Sequence, residues 1–465
     1  MIKNKVSIVV LALLTMTAVY SCKTDKKATF TGAEGEVKLV TLDPGHFHAA
    51  LVQKNMYPQV HPDVLVYAPD GDDLNEHLKR IEAYNTRAEN PTRWNETVYR
   101  GDDFFARMIA EKKGNVMVTA GNNGKKTEYI KKAIDAGMNV LADKPMAINV
   151  QNFEILKQAF ESAQLNNVLL YDIMTERFEI TTQLQREFSM LPELFGVLEK
   201  GTPENPAVTK ESVHHFFKYV SGAPLKRPAW FYDVEQQGEG IVDVTTHLVD
   251  LVQWECFPEV ILDIKDVNIV SAKRWTTGMN REQFALSTAL PDYPDYLKKD
   301  VSDDILQVYS NGEINYTLRG VHAKIVVVWN FMAPEGAGDT HYSILRGSKT
   351  NLIIRQGAEQ GYVPTLYIEP VANLDEKTLN GNLAKVQAKF PGIELKKLET
   401  GWEVLVPQKY HNGHEAHFSQ VTGFCRFSCD HEPCIVTCTW RIILILEPAI
   451  SCCIVTQFFI ISIKE

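Results

Sequence analysis

The stretch that decides the fold lies at residues 116–145 and reads VMVTAGNNGKKTEYIKKAIDAGMNVLADKP. An apolar run at 115–119 precedes a helical pattern at 127–136, and a second apolar run follows at 139–142. Short apolar runs of this kind favour buried strands, and Gly137 is a typical residue just past the end of a helix. Two strands connected through a helix form a parallel pair, so the stretch predicts one strand-helix-strand unit.

The same alternation extends toward the N-terminus. Residues 37–42 form an apolar run that predicts a strand, and a helical stretch from His46 to about Lys54 follows it. Residues 64–67 predict another strand, which ends at the turn-forming residues 69–71. Strands and helices in alternation predict a doubly wound parallel sheet, which we place at residues 36–172 as a Rossmann-like domain.

Ligands of such sheets bind at the carboxyl ends of the strands. Three segments fall at such ends: the turn Asp43-Pro44-Gly45, the loop at 120–123, and Lys144 in Asp143-Lys144-Pro145. We therefore expect the functional site at this edge.

Residues 173–424 predict a second, α+β domain with an open mixed sheet. Strand character is found at 212–219, 261–275, 305–309, 313–319, 323–329, 342–346 and 351–354. Asn311-Gly312 is a typical pair for a tight hairpin turn, so it predicts a hairpin between two of these strands.

A helix around residues 243–250 carries the second candidate group. Asp243, His247 and Asp250 share one face at helical spacing, beside an apolar stripe that includes Leu248. A carboxylate one turn from a histidine stabilises its imidazolium and suits a group that accepts a proton from a substrate hydroxyl. A capped surface helix with a stray histidine fits the same pattern. A divalent ion lacks an evident fourth ligand, so we predict no metal.

These motifs resemble the Gfo/Idh/MocA family of sugar and polyol oxidoreductases. The resemblance rests on the run at 116–145, in which Asp143-Lys144-Pro145 stands where the family usually has Glu-Lys-Pro, and on D-x-x-x-H at Asp243 and His247. It covers about residues 36–420. It implies an NAD(P)-dependent enzyme that acts on a hydroxyl of a sugar or polyol.

The resemblance also implies roles for individual residues. Lys144 would hydrogen-bond the reacting oxygen, and Pro145 would set the turn that places it. His247 would be the general base, and Asp243 would orient both the substrate and the imidazole. Arg177 matches a substrate-facing position, although a surface ion pair with a neighbouring glutamate is the alternative. A lysine in this place is expected to lower its own pKa and that of His247 through like-charge repulsion.

The cofactor loop departs from the family pattern. The dinucleotide fingerprint is G-x-G-x-x-G after the first strand, and of its three glycines only Gly45 is present. Asp43 would repel a diphosphate, and His48 is bulky for close helix packing. Helix N-terminal amides could still hold an anion. The implied cofactor residues are Gly45, His46, Phe47, Asp70, Ala120, Gly121, Asn122, Lys144 and Pro145. The implied cofactor is NAD or NADP, with NAD favoured, and it is tightly held.

Three functions therefore stay open from sequence. The first is the sugar or polyol oxidoreductase, the second is an NAD-dependent glycoside hydrolase on the same fold, and the third is a non-catalytic carbohydrate-binding lipoprotein. The 48 Lys and Arg against 58 Asp and Glu give a net charge of −10, which with no basic stripe excludes nucleic acid as a partner. The open sheet is an oligomer interface in the resembling family, which implies a homo-oligomer. His414 and His417 do not have H-E-x-x-H spacing, so they favour a surface or substrate-facing role.

The N-terminus predicts export. Lys3 and Lys5 precede an apolar run at 6–19, and residues 18–22 resemble a bacterial lipoprotein cleavage box that makes Cys22 the lipidated residue. Residues 1–22 are then the signal peptide, and 23–35 a polar tether. The expected location is the bacterial cell envelope, as a lipoprotein on the periplasmic side or in the outer membrane, attached to the membrane only through its lipid.

The last 41 residues differ from the rest of the chain. Six of the eight cysteines lie between Cys425 and Cys453, and residues 448–463 form an uncharged apolar run. Cys256 stands alone in the body, which therefore has no internal disulfide. We interpret residues 425–465 as an anomalous tail that a reading-frame shift would explain.

Overall fold

The computed structural model describes residues 30–424 except 221–222, 259 and 372. Cys22, the tether up to residue 29 and the cysteine-rich tail lie outside the described residues. No helix in the described part of the chain is both long and apolar enough to cross a bilayer.

The first sheet is doubly wound, as predicted. Its strands are β1 Leu39–Leu42, β2 Asp63–Ala68, β3 Asn95–Arg100, β4 Val116–Thr119, β5 Asn139–Asp143 and β6 Leu170–Ile173. They are parallel throughout and run in the order β3-β2-β1-β4-β5-β6. The order reverses beside β1 and β4, so the carboxyl ends of these two strands flank the crevice where such sheets bind ligands.

Five helices connect these strands. They are α1 His48–Leu51, α2 Asp72–Thr86, α3 Phe104–Glu111, α4 Asn123–Asp135 and α5 Val150–Asn166. The helix predicted from His46 to about Lys54 is mostly wrong, since α1 has one turn. The chain beyond it forms i→i+3 turns, in which the amide of Gln53 donates to the carbonyl of Ala50 at 2.9 Å. Asn122 and Asn149 cap α4 and α5 with their side-chain oxygens.

The second domain is built on a ten-stranded mixed sheet. Its elements are α6 Ile180–Ser189, β7 Val208–Phe217, β8 Tyr219–Val220, β9 Ala223–Pro224, α7 Gly240–Cys256, β10 Val267–Met279, α8 Arg281–Thr288, β11 Val301–Ser302, β12 Ile305–Leu318, β13 Val321–Met332, β14 Thr340–Arg346, β15 Thr350–Gln356, β16 Thr365–Pro370, α9 Glu376–Lys389, β17 Glu394–Lys397, β18 Trp402–Leu405 and α10 His414–Phe424. The order is β10-β12-β13-β7-β14-β15-β16-β18-β17, with β11 paired to β12. Strands β13 and β7 are parallel, and their neighbours in the sheet run antiparallel.

The hairpin predicted at Asn311-Gly312 is wrong, because β12 runs straight through both residues. Asn311 uses its side chain inside the sheet, donating to the carbonyl of Trp275 at 3.1 Å and accepting from the amide of Trp329 at 2.7 Å. Gly312 has no side chain because helix α7 packs there: a Cβ on Gly312 would lie 2.9 Å from the Ile241 side chain. The glycine serves a close approach rather than a turn.

Helix α7 contributes a glycine of its own to the same contact. A Cβ on Gly240 would lie 1.7 Å from the Ser310 carbonyl oxygen, so only glycine permits this approach. Nearly all of α7 is buried as a result, including Asp243, His247 and Asp250. A buried helix that carries three ionisable residues requires partners for them, and the site supplies partners for both aspartates.

Helix α10 returns to the first domain. Phe418 and Val421 join the apolar core that α1 and α2 form on one face of the first sheet, together with β-strand residues such as Val116 and Val118. A separate core on the opposite face is formed by α3, α4 and α5. The end of the described chain is therefore part of the N-terminal domain's packing.

Candidate active site

Strand β5 places Lys144 at the carboxyl edge of the first sheet. The Lys144–Pro145 peptide bond is cis. The buried Nζ of Lys126 donates to the carbonyl oxygens of Asp143 and Pro145, at 3.0 and 3.3 Å, and so holds the backbone on both sides of Lys144. The Lys144 Nζ then donates to Oδ1 of Asp243 on α7, and each of these two side chains is 11% exposed. The sequence-predicted lysine and aspartate thus meet across the two domains.

Helix α7 presents its three ionisable side chains to three different surroundings. Asp243 pairs with Lys144, and Asp250 accepts hydrogen bonds from the Nε and Nη2 of Arg177, the Nε at 2.7 Å. His247 lies between the two ion pairs, and its Nδ1 is buried with no hydrogen-bond partner among the described residues. Asp243 therefore orients Lys144 rather than the imidazole that it was expected to orient.

Charge at this edge is distributed so that the lysine is ionised and the histidine neutral. Burial lowers the pKa of His247 to about 4, and the Lys144 ammonium adds to the effect. Burial acts against the ammonium of Lys144 too, but the carboxylates of Asp243 and Asp143 outweigh it and raise the lysine pKa. Burial likewise opposes ionisation of Asp243, and Lys144 more than offsets it, so the pKa of Asp243 is lowered. The expectation that Lys144 lowers the pKa of His247 is confirmed, and the expectation that its own pKa falls is wrong.

The loop after β1 is folded onto its own backbone. The amide of Gly45 donates to the carbonyl of Asp43 at 2.9 Å, and the amide of His46 donates to the carbonyl of Ala120 at 3.0 Å. Gly121 permits this packing, since a Cβ there would lie 2.3 Å from the Asp43 carbonyl oxygen. Two amides that a phosphate would use at the usual fingerprint are therefore already bonded.

The space above Gly45 is filled by one residue from each domain. A Cβ on Gly45 would lie 2.9 Å from Oδ2 of Asp73 and 3.0 Å from the ring of Trp230. Trp230 belongs to the 3-10 turn Ala229–Tyr232, and its Nε1 donates to that same Asp73 oxygen at 3.0 Å. This bridge, which we call the Asp73–Trp230 clasp, crosses the crevice where a diphosphate would lie.

Two further predicted cofactor residues, Asn122 and Asp70, are also engaged by protein. Asn122 donates to the Gln236 side chain at 2.7 Å, and the amide of Gly124 at the start of α4 donates to the Gln236 carbonyl at 2.9 Å. Asp70 is exposed at the end of β2 and pairs with Arg100. Asp70 is therefore near the expected ribose position but has a cation as its partner.

A histidine-rich group adjoins the lysine. Nδ1 of His48 lies 3.0 Å from Oδ2 of Asp143, and Nδ1 of His46 lies 3.8 Å from the same oxygen. Helix α10 adds His414, whose ring lies 5.7 Å from that of His48 and whose Nδ1 lies 3.3 Å from Oε1 of Glu176. Burial and the charge of a neighbouring histidine lower the pKa of both His46 and His48.

Sequence reasoning missed part of this group. Asp143 and Glu176 were not predicted as site residues, and His414 was placed near the substrate only as one option. The H-x-H pair in the loop after β1 was a usable local signal. No local sequence signal indicated that His414 of α10 joins this group, because its partners His48 and Glu176 lie more than 200 positions away.

The fold and this edge define a two-domain oxidoreductase of the Rossmann class. Residues 74–170 match the family described as "Oxidoreductase family, NAD-binding Rossmann fold", and residues 184–427 match "Putative oxidoreductase C terminal domain". The chain belongs to the Gfo/Idh/MocA oxidoreductase family. The NAD-binding match begins after the Asp43 to His48 loop, which is the segment that departs from the fingerprint.

Solved structures agree with this assignment. An oxidoreductase of Parabacteroides merdae, described as putative, is 54% identical with a TM-score of 0.86, covering 94% of this chain and 98% of that one. Two others share the fold at low identity. Levoglucosan dehydrogenase in complex with NADH and levoglucosan has 10% identity, a TM-score of 0.54 and coverage of 91% and 96%. GenD2 from gentamicin A biosynthesis in complex with NAD has 15% identity and a TM-score of 0.51, and the match covers 92% of this chain and 93% of that one. No curated protein sequence matches the chain.

Proposed function

We propose that the protein transfers a hydride between a nicotinamide cofactor and a CH–OH carbon of a sugar or polyol. The observation that carries the proposal is His247: it is buried and neutral at physiological pH, it lies beside an ionised lysine, and its Nδ1 has no partner among the residues that the structure describes. A neutral imidazole and an ammonium in one buried group are what removal of hydride from an alcohol requires. One accepts the hydroxyl proton, and the other stabilises negative charge on the oxygen.

The proton moves from the substrate hydroxyl to Nδ1 of His247 as the carbon loses its hydride. The Lys144 ammonium has three N–H donors, of which one is used on Asp243, so another can bond the substrate oxygen as it becomes a carbonyl. Asp243 fixes the direction of the ammonium and keeps it charged. In the reverse direction the same groups return the proton to the carbonyl oxygen.

A nicotinamide ring would supply the hydride acceptor when bound. The residues at that end fit it, because Lys144 and His247 line one polar patch beside the strand ends. The residues at the diphosphate end do not fit while the clasp is closed. Asp73 and Trp230 fill the space above Gly45, and the loop amides are bonded to carbonyls. The proposal therefore includes displacement of Trp230 when the cofactor binds.

The substrate class is supported by the fold's relatives. Levoglucosan dehydrogenase was solved with NADH and levoglucosan, and GenD2 with NAD. Levoglucosan dehydrogenase, at 10% identity, supports a small carbohydrate as the substrate class, and GenD2, at 15% identity, supports NAD as the cofactor.

The test uses the full-length chain with NAD⁺ or NADP⁺ and a panel of free sugars and polyols, followed by absorbance of the reduced cofactor. Turnover with at least one substrate, lost in His247→Ala and kept in the surface variant His61→Ala, is the expected result. Absence of cofactor in the purified protein, together with no binding of added NAD⁺ or NADP⁺, contradicts the proposal. Product released from aryl glycosides without net reduction would assign the site to glycoside cleavage instead.

A further inference from the structure

From the geometry of the histidine group we infer that His46, His48 and Asp143 bind one divalent first-row transition ion at the edge of the active site. The inference rests on the proposed function only for what the ion does there, and the binding itself stands independently. We call the three residues the histidine-aspartate triad.

The spacing of the donor atoms fits an ion. One donor atom from each residue of the triad lies within 4.8 Å of the other two. Metal–nitrogen and metal–oxygen bonds of about 2.0–2.2 Å place the ligands of a tetrahedral site about 3.3 Å apart. The two imidazole nitrogens stand 3.0 and 3.8 Å from the Asp143 oxygen, so displacements of a few tenths of an ångström would bring both to that separation.

The carboxylate has a second oxygen that is buried and unused. Asp143 is 4% exposed, and its Oδ1 has no hydrogen-bond partner among the described residues. A buried carboxylate oxygen without a partner is unfavourable. An ion bound by both oxygens of the carboxylate would satisfy Oδ1. A plain His48–Asp143 hydrogen bond accounts for Oδ2 alone.

Two neighbouring features make a cation acceptable there. The nearby Lys144 ammonium is matched by Asp243, so it does not leave a net positive charge beside the triad. The amide of His48 lies 3.4 Å from Nδ1 of His46, which is long for a hydrogen bond, so an ion can replace this contact at the lone pair of that nitrogen. A neutral imidazole nitrogen with a lone pair is the form that binds metals.

The donor set selects the class of ion. Two imidazoles with one carboxylate suit Zn²⁺, Co²⁺ and their neighbours, whereas Mg²⁺ and Ca²⁺ prefer oxygen ligands throughout. Three protein ligands leave a position open, as in catalytic rather than structural sites. Lys144 and Asp243 act electrostatically on His46, so an ion held by the triad would adjoin the polar patch that carries the proton acceptor. A carbohydrate hydroxyl is the ligand that we propose for the open position.

The test measures metal binding without nicotinamide or substrate. The full-length protein is stripped with a chelator, titrated with Co²⁺ and Zn²⁺ by equilibrium dialysis, and followed by the visible d–d bands of Co²⁺. We expect one ion per chain. The isosteric variant Asp143→Asn and the double variant His46→Ala/His48→Ala should each weaken binding at least about tenfold.

A matched double variant controls for general loss of histidines. His61 and His214 also pair with carboxylates, at 3.7 and 3.6 Å, and lie outside the triad. His61→Ala/His214→Ala should bind Co²⁺ as the wild type does. Asp143→Asn keeps side-chain volume, and its circular dichroism and melting temperature show whether it is folded.

The inference is overturned if the folded wild type takes up no ion. It is also overturned if Asp143→Asn binds as tightly as wild type, or if the Co²⁺ spectrum shows thiolate charge-transfer bands, which would assign the ion to cysteines. A protein that binds the ion and shows no hydride transfer would keep the site and refute the proposed function.

Discussion

Replacing Trp230 tests whether the clasp controls access of the dinucleotide. Trp230→Phe keeps an aromatic ring and removes the indole Nε1 donor, which in the wild type bonds Asp73 at 3.0 Å. A hydrogen bond of this kind contributes about 1 kcal/mol net. If the cofactor must break it, the variant should bind NAD⁺ about fivefold more tightly, because affinity rises with the fraction of molecules already open.

Trp230→Ala removes the ring contact with Gly45 as well. The half-buried ring contributes about another 1 kcal/mol to the closed state. Together these effects amount to about 2 kcal/mol, or about thirtyfold tighter binding. The expected order of affinities is therefore Ala above Phe above wild type.

Isothermal titration of the full-length protein with NAD⁺ measures this order without relying on tryptophan fluorescence. Trp275→Ala serves as the matched control, since Trp275 is also half-buried and lies on β10 away from Gly45. Equal affinities in all variants refute the reasoning. Weaker binding by Trp230→Ala refutes it too, because Trp230 would then contact the cofactor rather than exclude it.

Four further predictions address chemistry, stability and location. His247→Ala should lose turnover by about a hundredfold or more with cofactor affinity within about twofold, measured by steady-state kinetics beside titration; equal turnover removes His247 from the proton step. Because His247 is neutral above about pH 4, kcat/KM should stay level as the pH falls from 7 and drop only near pH 4. A drop near pH 6.5 in folded protein would show that burial and the neighbouring charges of Lys144, Glu176, His414 and Asp143 do not set the pKa of His247 as described. Lys210→Met should lower the free energy of unfolding by about 3–5 kcal/mol in urea, since it strands the fully buried Glu255 that Lys210 contacts at 2.9 Å, and Lys210→Met/Glu255→Gln should recover part of the loss. Cys22→Ser should abolish incorporation of labelled fatty acid in a bacterial host, and persistent labelling would refute lipid attachment there.

Local pattern was enough to predict the architecture. The apolar runs at residues 37–42, 64–67 and 139–142 form strands β1, β2 and β5 because burial on both faces of a parallel sheet requires unbroken apolar sequence. Helical periodicity placed Asp243 and His247 on one buried helix. These signals lie within a few residues of one another, which is the range over which a single sequence is informative.

Long-range pairing was not accessible in the same way. Nothing near Asp243 indicates that Lys144, 99 positions away, binds it in place of His247. The clasp joins residues 157 positions apart. The missing glycines of the cofactor fingerprint indicated an altered loop, but they did not indicate that Asp73 and Trp230 fill the space above Gly45. The Asn311-Gly312 pair misled because its turn preference is weaker than the packing of Ile241 against the glycine.

The return of α10 to the first sheet has a consequence for biosynthesis. A ribosome that has released only the first six strands exposes a face of that sheet from which Phe418 and Val421 are still missing. The N-terminal domain can complete this core only after nearly all of the described chain has been made. A change to the sequence near residue 424 is therefore expected to alter the contact between His414 of α10 and His48. His48 follows the first strand, so the two ends of the described chain meet at this contact.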